Sequence, residues 1–137
     1  MEQIEDCIIF LLGKAQQNQL AKKKLKPLNI TPVQYAVLRL LWQRDGQLSS
    51  EIGEHIQLDS ATMTGLLDRM VQRGLIQRRP SEYDRRKSHI FLTGKGREPQ
   101  FLPVDLMVEA NEELFSDFSD EEVQLLKRML MKIGLRS

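Results

Sequence analysis

Few side chains able to carry chemistry occur in this chain, and they are scattered. Its 137 residues include two histidines, His55 and His89, and one cysteine, Cys7. The histidines fall in different predicted elements, and no phosphate-binding glycine loop, paired zinc ligands or nucleophile motif is present. A single cysteine excludes an internal disulfide framework and a multi-cysteine metal site within the chain. The expectation is a protein that is not an enzyme and has no cofactor or metal. The sequence leaves open only a His/Asp/Glu site assembled from distant elements.

Charge is more informative. The net charge of +1 hides a segregation. Between Arg69 and Arg97 lie Arg73, Arg78, Arg79, Arg85, Arg86, Lys87 and Lys95, opposed only by Glu82 and Asp84. From Glu98 to Glu122 there is no basic residue, while Asp105, Glu109, Glu112, Glu113, Asp117, Asp120 and Glu121 are all acidic. A second basic cluster is Lys22, Lys23, Lys24 and Lys26. A basic stripe on a near-neutral protein can hold a polyanion at one place without adhering to it everywhere. A solvated surface explains the charge alone equally well.

Deciding between these readings requires the elements that carry the charges. Residues 2–26 read as one long helix, with Ile4, Cys7, Ile8, Leu11, Leu12 and Ala15 on one face and Pro27 and Asn29 ending it. Thr31-Pro32-Val33-Gln34 combines a threonine cap, proline at the first helical position and glutamine three residues after the cap. Val33, Val37, Leu40 and Leu41 give that helix a buried face. Ser49 or Ser50 can cap a short helix carrying Ile52 and Ile56. Asp59 can cap the next, which runs to Gly74. In that helix Met63, Leu66, Leu67 and Met70 form an apolar stripe, and Ala61, Thr62, Gly65, Asp68, Arg69 and Gln72 lie opposite. Leu75–Arg79 and Ser88–Leu92 read as two strands around the charged turn 81–87. Thr93-Gly94 opens a helix that Pro99 and Pro103 must interrupt or kink. Ser119 with Glu122 begins the last helix, lined by Val123, Leu126, Met129, Leu130 and Ile133.

Two helices joined by a tight turn, the second with a polar outer face, suit insertion into the major groove of DNA. Small residues at Ala61 and Gly65 allow close approach. Ser60, Thr62, Thr64, Arg69 and Gln72 can donate to phosphates or base edges. The competing reading is an ordinary exposed helix face. The hairpin adds weight to the first, because a protruding arginine can enter a narrow minor groove. Asp84, beside Arg85, Arg86 and Lys87, is repelled by DNA if free, so it is read as a brace that orients Arg86, or else as a turn-forming aspartate.

The segments Leu58-Asp59-Ser60-Ala61-Thr62-Met63-Thr64, Leu67-Asp68-Arg69-Met70, Gly74-Leu75-Ile76, Asp84-Arg85-Arg86 and Leu92-Thr93-Gly94-Lys95-Gly96 resemble the MarR family of bacterial and archaeal regulators. The resemblance is strong over about residues 30–97 and a matter of position and pattern at the ends. It implies a mostly α fold: a winged helix-turn-helix region at 30–97 within a single chain of 1–137, with helices in 1–26 and 98–137 forming a dimerisation region. It also implies a homodimer on a pseudo-palindromic double-stranded operator, with Arg86 in the minor groove. Peroxide-sensing members of the family place a reactive cysteine about as far before the Leu-Asn-Ile-Thr segment, here 28–31, as Cys7 lies. That makes Cys7 a possible oxidation switch. The tyrosines that bond the thiolate in those proteins are replaced here by Ala21 and Pro32, which favours plain packing of Cys7 on its apolar stripe. Many relatives release DNA when a small aromatic or lipophilic effector enters a cleft. Tyr35, Trp42, Phe10 and Met107 either line such a cleft or belong to the core.

The expected function is therefore a sequence-specific transcriptional regulator, a repressor released by a small-molecule or oxidative signal. The rival is a winged-helix protein-interaction module that does not bind DNA. The apolar stretch Ile8–Leu12 is too short to span a bilayer and lacks the flanks of a signal peptide, so a cytoplasmic protein without membrane attachment is expected.

Overall fold

The computed structural model describes residues 3–4 and 7–134, and these fall into two compact units. One comprises residues 25–105. The other comprises the described residues up to 24 and from 106 onward.

The 25–105 unit begins with a 3-10 turn, Lys26–Leu28, after which Asn29 takes a left-handed conformation (φ 55°) and Thr31 opens α3, Pro32–Gln43. The predicted capping box is present. Thr31 Oγ1 accepts from the Gln34 amide at 3.2 Å, and Gln34 Oε1 accepts from the Thr31 amide at 3.1 Å. Val37, Leu38 and Leu41 are buried along α3. Next come strand β1, Gln47–Leu48, and helix α4, Ser49–Ile56. The expected serine cap is not used. Ser49 and Ser50 already lie inside α4, and the helix start is closed by Glu51 Oε1 accepting from the Leu48 amide at 3.1 Å. Helix α5, Ser60–Gln72, buries Met63, Leu66, Leu67 and Met70 as its spacing predicts. Strands β2, Ile76–Pro80, and β3, Ser88–Leu92, complete an antiparallel sheet of order β1-β3-β2.

Strand β1 has no periodic signal, being two residues long. It is held because Gln47 lies opposite Ile90 in the ladder, and its buried side-chain amide donates to the carbonyls of Leu40 (2.8 Å) and Arg44 (2.7 Å). The amide thereby ties down the carbonyl just past the end of α3, while the Leu40 carbonyl also accepts from the Arg44 amide at 3.1 Å.

After β3 come α6, Gly94–Arg97, and a 3-10 turn, Glu98–Phe101, that contains Pro99. The interruption predicted from the prolines is therefore present.

The other unit contains α1, Ile8–Gln16, the start of α2, Leu20–Leu25, then α7, Leu106–Leu114, and α8, Asp120–Gly134. The single helix expected over 2–26 is two helices. The Asn18 side chain accepts from the Leu20 amide at 2.9 Å, a local bond that competes with helical pairing. Glu2, Glu5 and Asp6 lie outside the described residues, as does 135–137. Lys24 bridges α2 to α7 through Glu109 (2.6 Å) and Glu113 (2.5 Å), and these two carboxylates raise its pKa. Ser119 and Glu122 form the predicted capping pair at the start of α8. No residue of α1 or α8 is fully buried. No helix among the described residues is long and apolar enough to cross a membrane.

Candidate nucleic-acid interface

The start of α5 is fixed by Asp59, whose carboxylate accepts from the Thr62 amide and the Thr62 hydroxyl, both at 2.8 Å. These bonds, the amide first, hold the Asp59 carboxyl below its ordinary pKa. The end of the helix is fixed as firmly. Gly74 takes φ +73°, and the Leu75 amide returns to the Met70 carbonyl at 3.0 Å, closing a glycine C-cap. Lys95 Nζ donates to the Arg73 carbonyl at 2.9 Å, and Thr93 Oγ1 donates to the Gly74 carbonyl at 2.5 Å. The Leu-Thr-x-x-Gly segment thus has a physical task. Thr93 also caps α6 by accepting from the Gly96 amide, and a Cβ on Gly96 would stand 2.1 Å from the Leu75 carbonyl oxygen.

Between these anchors α5 leaves Ser60, Ala61, Thr62, Thr64, Asp68, Arg69 and Gln72 exposed. The structure refines what they offer. Thr62 gives its hydroxyl hydrogen to Asp59, and Thr64 gives its own to the Ser60 carbonyl at 2.8 Å. In this conformation the two threonines present oxygen lone pairs and methyl groups, whereas Ser60, Arg69 and Gln72 supply the exposed donors.

The hairpin turn is closed by the Ser81 amide donating to the Lys87 carbonyl and the Lys87 amide donating to the Asp84 carbonyl, both at 2.9 Å. Asp84 Oδ1 accepts from the Arg86 amide at 3.0 Å and from its guanidinium Nε at 3.3 Å. These two bonds, the backbone one first, lower the Asp84 pKa. The Arg86 side chain is otherwise 92% exposed. Arg85, Lys87 and Tyr83 are exposed around it. A groove of about 810 Å³ lies between helices and hairpin, with Ser49, Ser60, Thr64, Arg78, Arg86 and Ser88 among its lining. Ser60, Thr64 and Arg86 thus share one concavity, while Arg69 and Gln72 lie further along α5. Sequence reading treated Arg78 only as part of the basic stripe. It contacts α5 directly, pairing with Asp68 and donating through Nη2 to the Thr64 carbonyl at 3.2 Å.

The remaining candidates lie apart. His55 is exposed at the end of α4. His89, on β3, is half-buried with Nδ1 2.8 Å from the Gly46 carbonyl. No group of three or more His, Cys, Asp or Glu side chains placed to hold a metal is present among the described residues. Tyr35 is buried, its ring edge-on to Trp42 at 5.4 Å and its hydroxyl 3.3 Å from Asp105, and burial raises its pKa. Trp42 donates to the Gly96 carbonyl at 2.9 Å. Both aromatics belong to the 25–105 unit, where they also line a small cleft of about 230 Å³ beside Arg39, Pro99, Leu102 and Val104, while Phe10 and Met107 belong to the other unit. Cys7 is half-buried and immediately precedes α1.

A helix pair whose second helix shows a polar outer face, followed by a β-hairpin wing, defines a winged helix-turn-helix protein. A sequence model described as MarR family matches residues 30–88. The chain is 40% identical over 100 residues to the organic hydroperoxide resistance transcriptional regulator of Bacillus subtilis strain 168, covering 73% of this chain and 68% of that protein. It is 32% identical over 135 residues to the HTH-type transcriptional regulator MhqR of the same strain, covering 95% and 91%. The PcaV transcriptional regulator from Streptomyces coelicolor, solved with its natural ligand, shares the fold with a TM-score of 0.85 at 22% identity, covering 98% and 96%. The chain belongs to the MarR family. It is a DNA-binding transcriptional regulator and not an enzyme.

Proposed function

We propose that the chain acts as a homodimeric, cytoplasmic repressor that binds a pseudo-palindromic operator and lets go on a small-molecule or oxidative signal. The exposed face of α5, carrying Ser60, Thr62, Thr64, Arg69 and Gln72, reads the major groove. The wing segment Asp84, Arg85, Arg86 and Lys87 places Arg86 at the adjacent minor groove, with Asp84 as its brace. Residues 30–97 form the DNA-binding region, and the helices in 1–26 and 98–137 the dimer region. The observation that carries this reading is the pairing of a capped helix with a bare polar face and a braced, protruding arginine on one groove. The oxidative part rests on the likeness to the organic hydroperoxide resistance regulator of Bacillus, and the ligand part on PcaV, a protein of the same fold solved with its natural ligand. Binding to duplex DNA, measured against salt, is the test: a steep linear fall of log affinity with log salt supports phosphate neutralisation. Salt-insensitive or absent binding at low ionic strength would overturn it.

A further inference from the structure

We infer that Arg78 is a positioning residue for sequence readout, locking the wing base to the recognition helix and masking the one carboxylate on that helix's outer face. This rests on the reading of α5 as the helix that meets base edges. Arg78 sits on β2 opposite Ile90 of β3 and two residues beyond buried Ile76. The two-residue period of a strand turns it to the α5 side, whereas Arg79 stacks on Phe91 at 4.4 Å. Its guanidinium grips two points on α5: the Asp68 carboxylate through Nη1 and the Thr64 carbonyl through Nη2. The carbonyl of residue 64 points along the helix toward residue 68, one turn on, so both acceptors lie within reach of one planar fork, which ties α5 to the wing base at two bonds.

The electrostatic effect acts in the same direction. Asp68 is half exposed among groups proposed to face DNA, and an unpaired carboxylate there would repel phosphate. A partly exposed ion pair adds little to folding stability, so its consequence falls on geometry and local potential. Phosphate contacts tolerate a shifted helix, because every step of the duplex offers the same charge. Base-edge contacts do not. Loosening α5 should therefore cost discrimination before it costs affinity.

The experiment uses the full chain and two duplexes: one selected by the wild-type protein from a random pool, and a scrambled version. Arg78→Lys keeps the charge and loses the fork. It should lower the ratio of selected to scrambled affinity about fivefold or more, as expected for a coupled contact, and leave the salt slope unchanged. Asp68→Asn, acting from the other side of the bond, should lower the same ratio. The double variant should be no worse than the more severe single one. Thermal melting verifies that each variant is folded. An unchanged ratio in Arg78→Lys, or losses that multiply in the double variant, would show Arg78 to be an independent phosphate contact and overturn the inference. Thr62→Ala and Gln72→Ala distinguish the levels. If they shift the preference while the Arg78 and Asp68 variants do not, only this inference fails. If neither pair shifts it, the reading of α5 fails and the inference with it.

Discussion

Arg86 is held at its backbone and its guanidinium by a single carboxylate, yet the side chain stands almost wholly in solvent. That combination reduces the conformational freedom a long side chain must lose on binding while leaving its charge available. Arg86→Ala should weaken binding to good and poor sites alike, by about 1–3 kcal/mol, and flatten the salt slope by roughly one unit. Fluorescence titration of a specific and a scrambled duplex at several salt concentrations measures both, and unchanged affinity on the two would remove the wing from the mechanism. Asp84→Ala should give a milder form of the same loss. Tighter binding by that variant would instead mark Asp84 as a repelling surface charge. Asp59 offers a pH prediction at the other end of the groove. Its carboxyl is lowered by the Thr62 bonds, so the cap contributes fully above the ordinary aspartate range and is lost as pH falls below about 4. Amide exchange at the first turn of α5 should accelerate through that fall. Asp59→Asn keeps a capping oxygen and should remove the pH dependence, whereas Asp59→Ala should fray the turn at every pH.

At the level of elements, the packing of α6 against the exit of α5 admits no side chain at residue 96. Gly96→Ala places a methyl against the Leu75 carbonyl, and overpacking of this kind costs about 1–3 kcal/mol. Denaturant melting should show that loss, and an unchanged midpoint would mean that the chain there yields freely. The same region shows what could be read in advance. Thr31, Asp59, Ser119 and the apolar stripe of α5 were legible because caps and periodicity are local. Every atom of the signal lies within a turn or two of chain. The break between α1 and α2 was missed because a continuing apolar pattern outweighed one asparagine. Strand β1 was missed because it exists only through its partner β3 and the carbonyls to which Gln47 donates. Arg78 was hidden for the same reason. Its type and position in a basic stripe were visible, but its two partners lie on α5, 10 and 14 residues away, and only the folded sheet brings them together. The exposed donor set of α5 likewise emerged only once the threonine hydroxyls were seen bonded to their own helix.

At the scale of the whole molecule, the terminal helices leave more apolar surface uncovered than a lone chain should. Ile8 is 70% exposed, Ile9 81% and Met131 69%; Leu114, Leu125, Leu130 and Ile133 are exposed on their helices and Phe118 between α7 and α8. Exposed apolar side chains in this number on neighbouring segments of one unit point to an interaction site. With the wing and α5 proposed to meet DNA, the apolar helices are proposed to meet a second copy of the chain. A closed pair related by a two-fold axis uses the same patch on both subunits and leaves no sticky surface free to recruit a third. Such a dimer carries two copies of α5, and they should read half-sites about 10 base pairs apart, centre to centre. Sedimentation at micromolar concentration should give twice the mass of one chain. Ile9→Glu combined with Met131→Glu should shift it to one chain. Footprinting should show an imperfect palindrome for the native protein, and the double variant should lose most of its operator affinity because its two half-site contacts no longer act together. Its salt slope on scrambled DNA should fall to about half, since only one wing and one helix reach the phosphates of any single site. A native protein that sediments as one chain, or a footprint confined to one asymmetric half-site, would contradict the dimer. A monomeric variant that keeps full operator affinity would show that the second α5 contributes nothing to recognition.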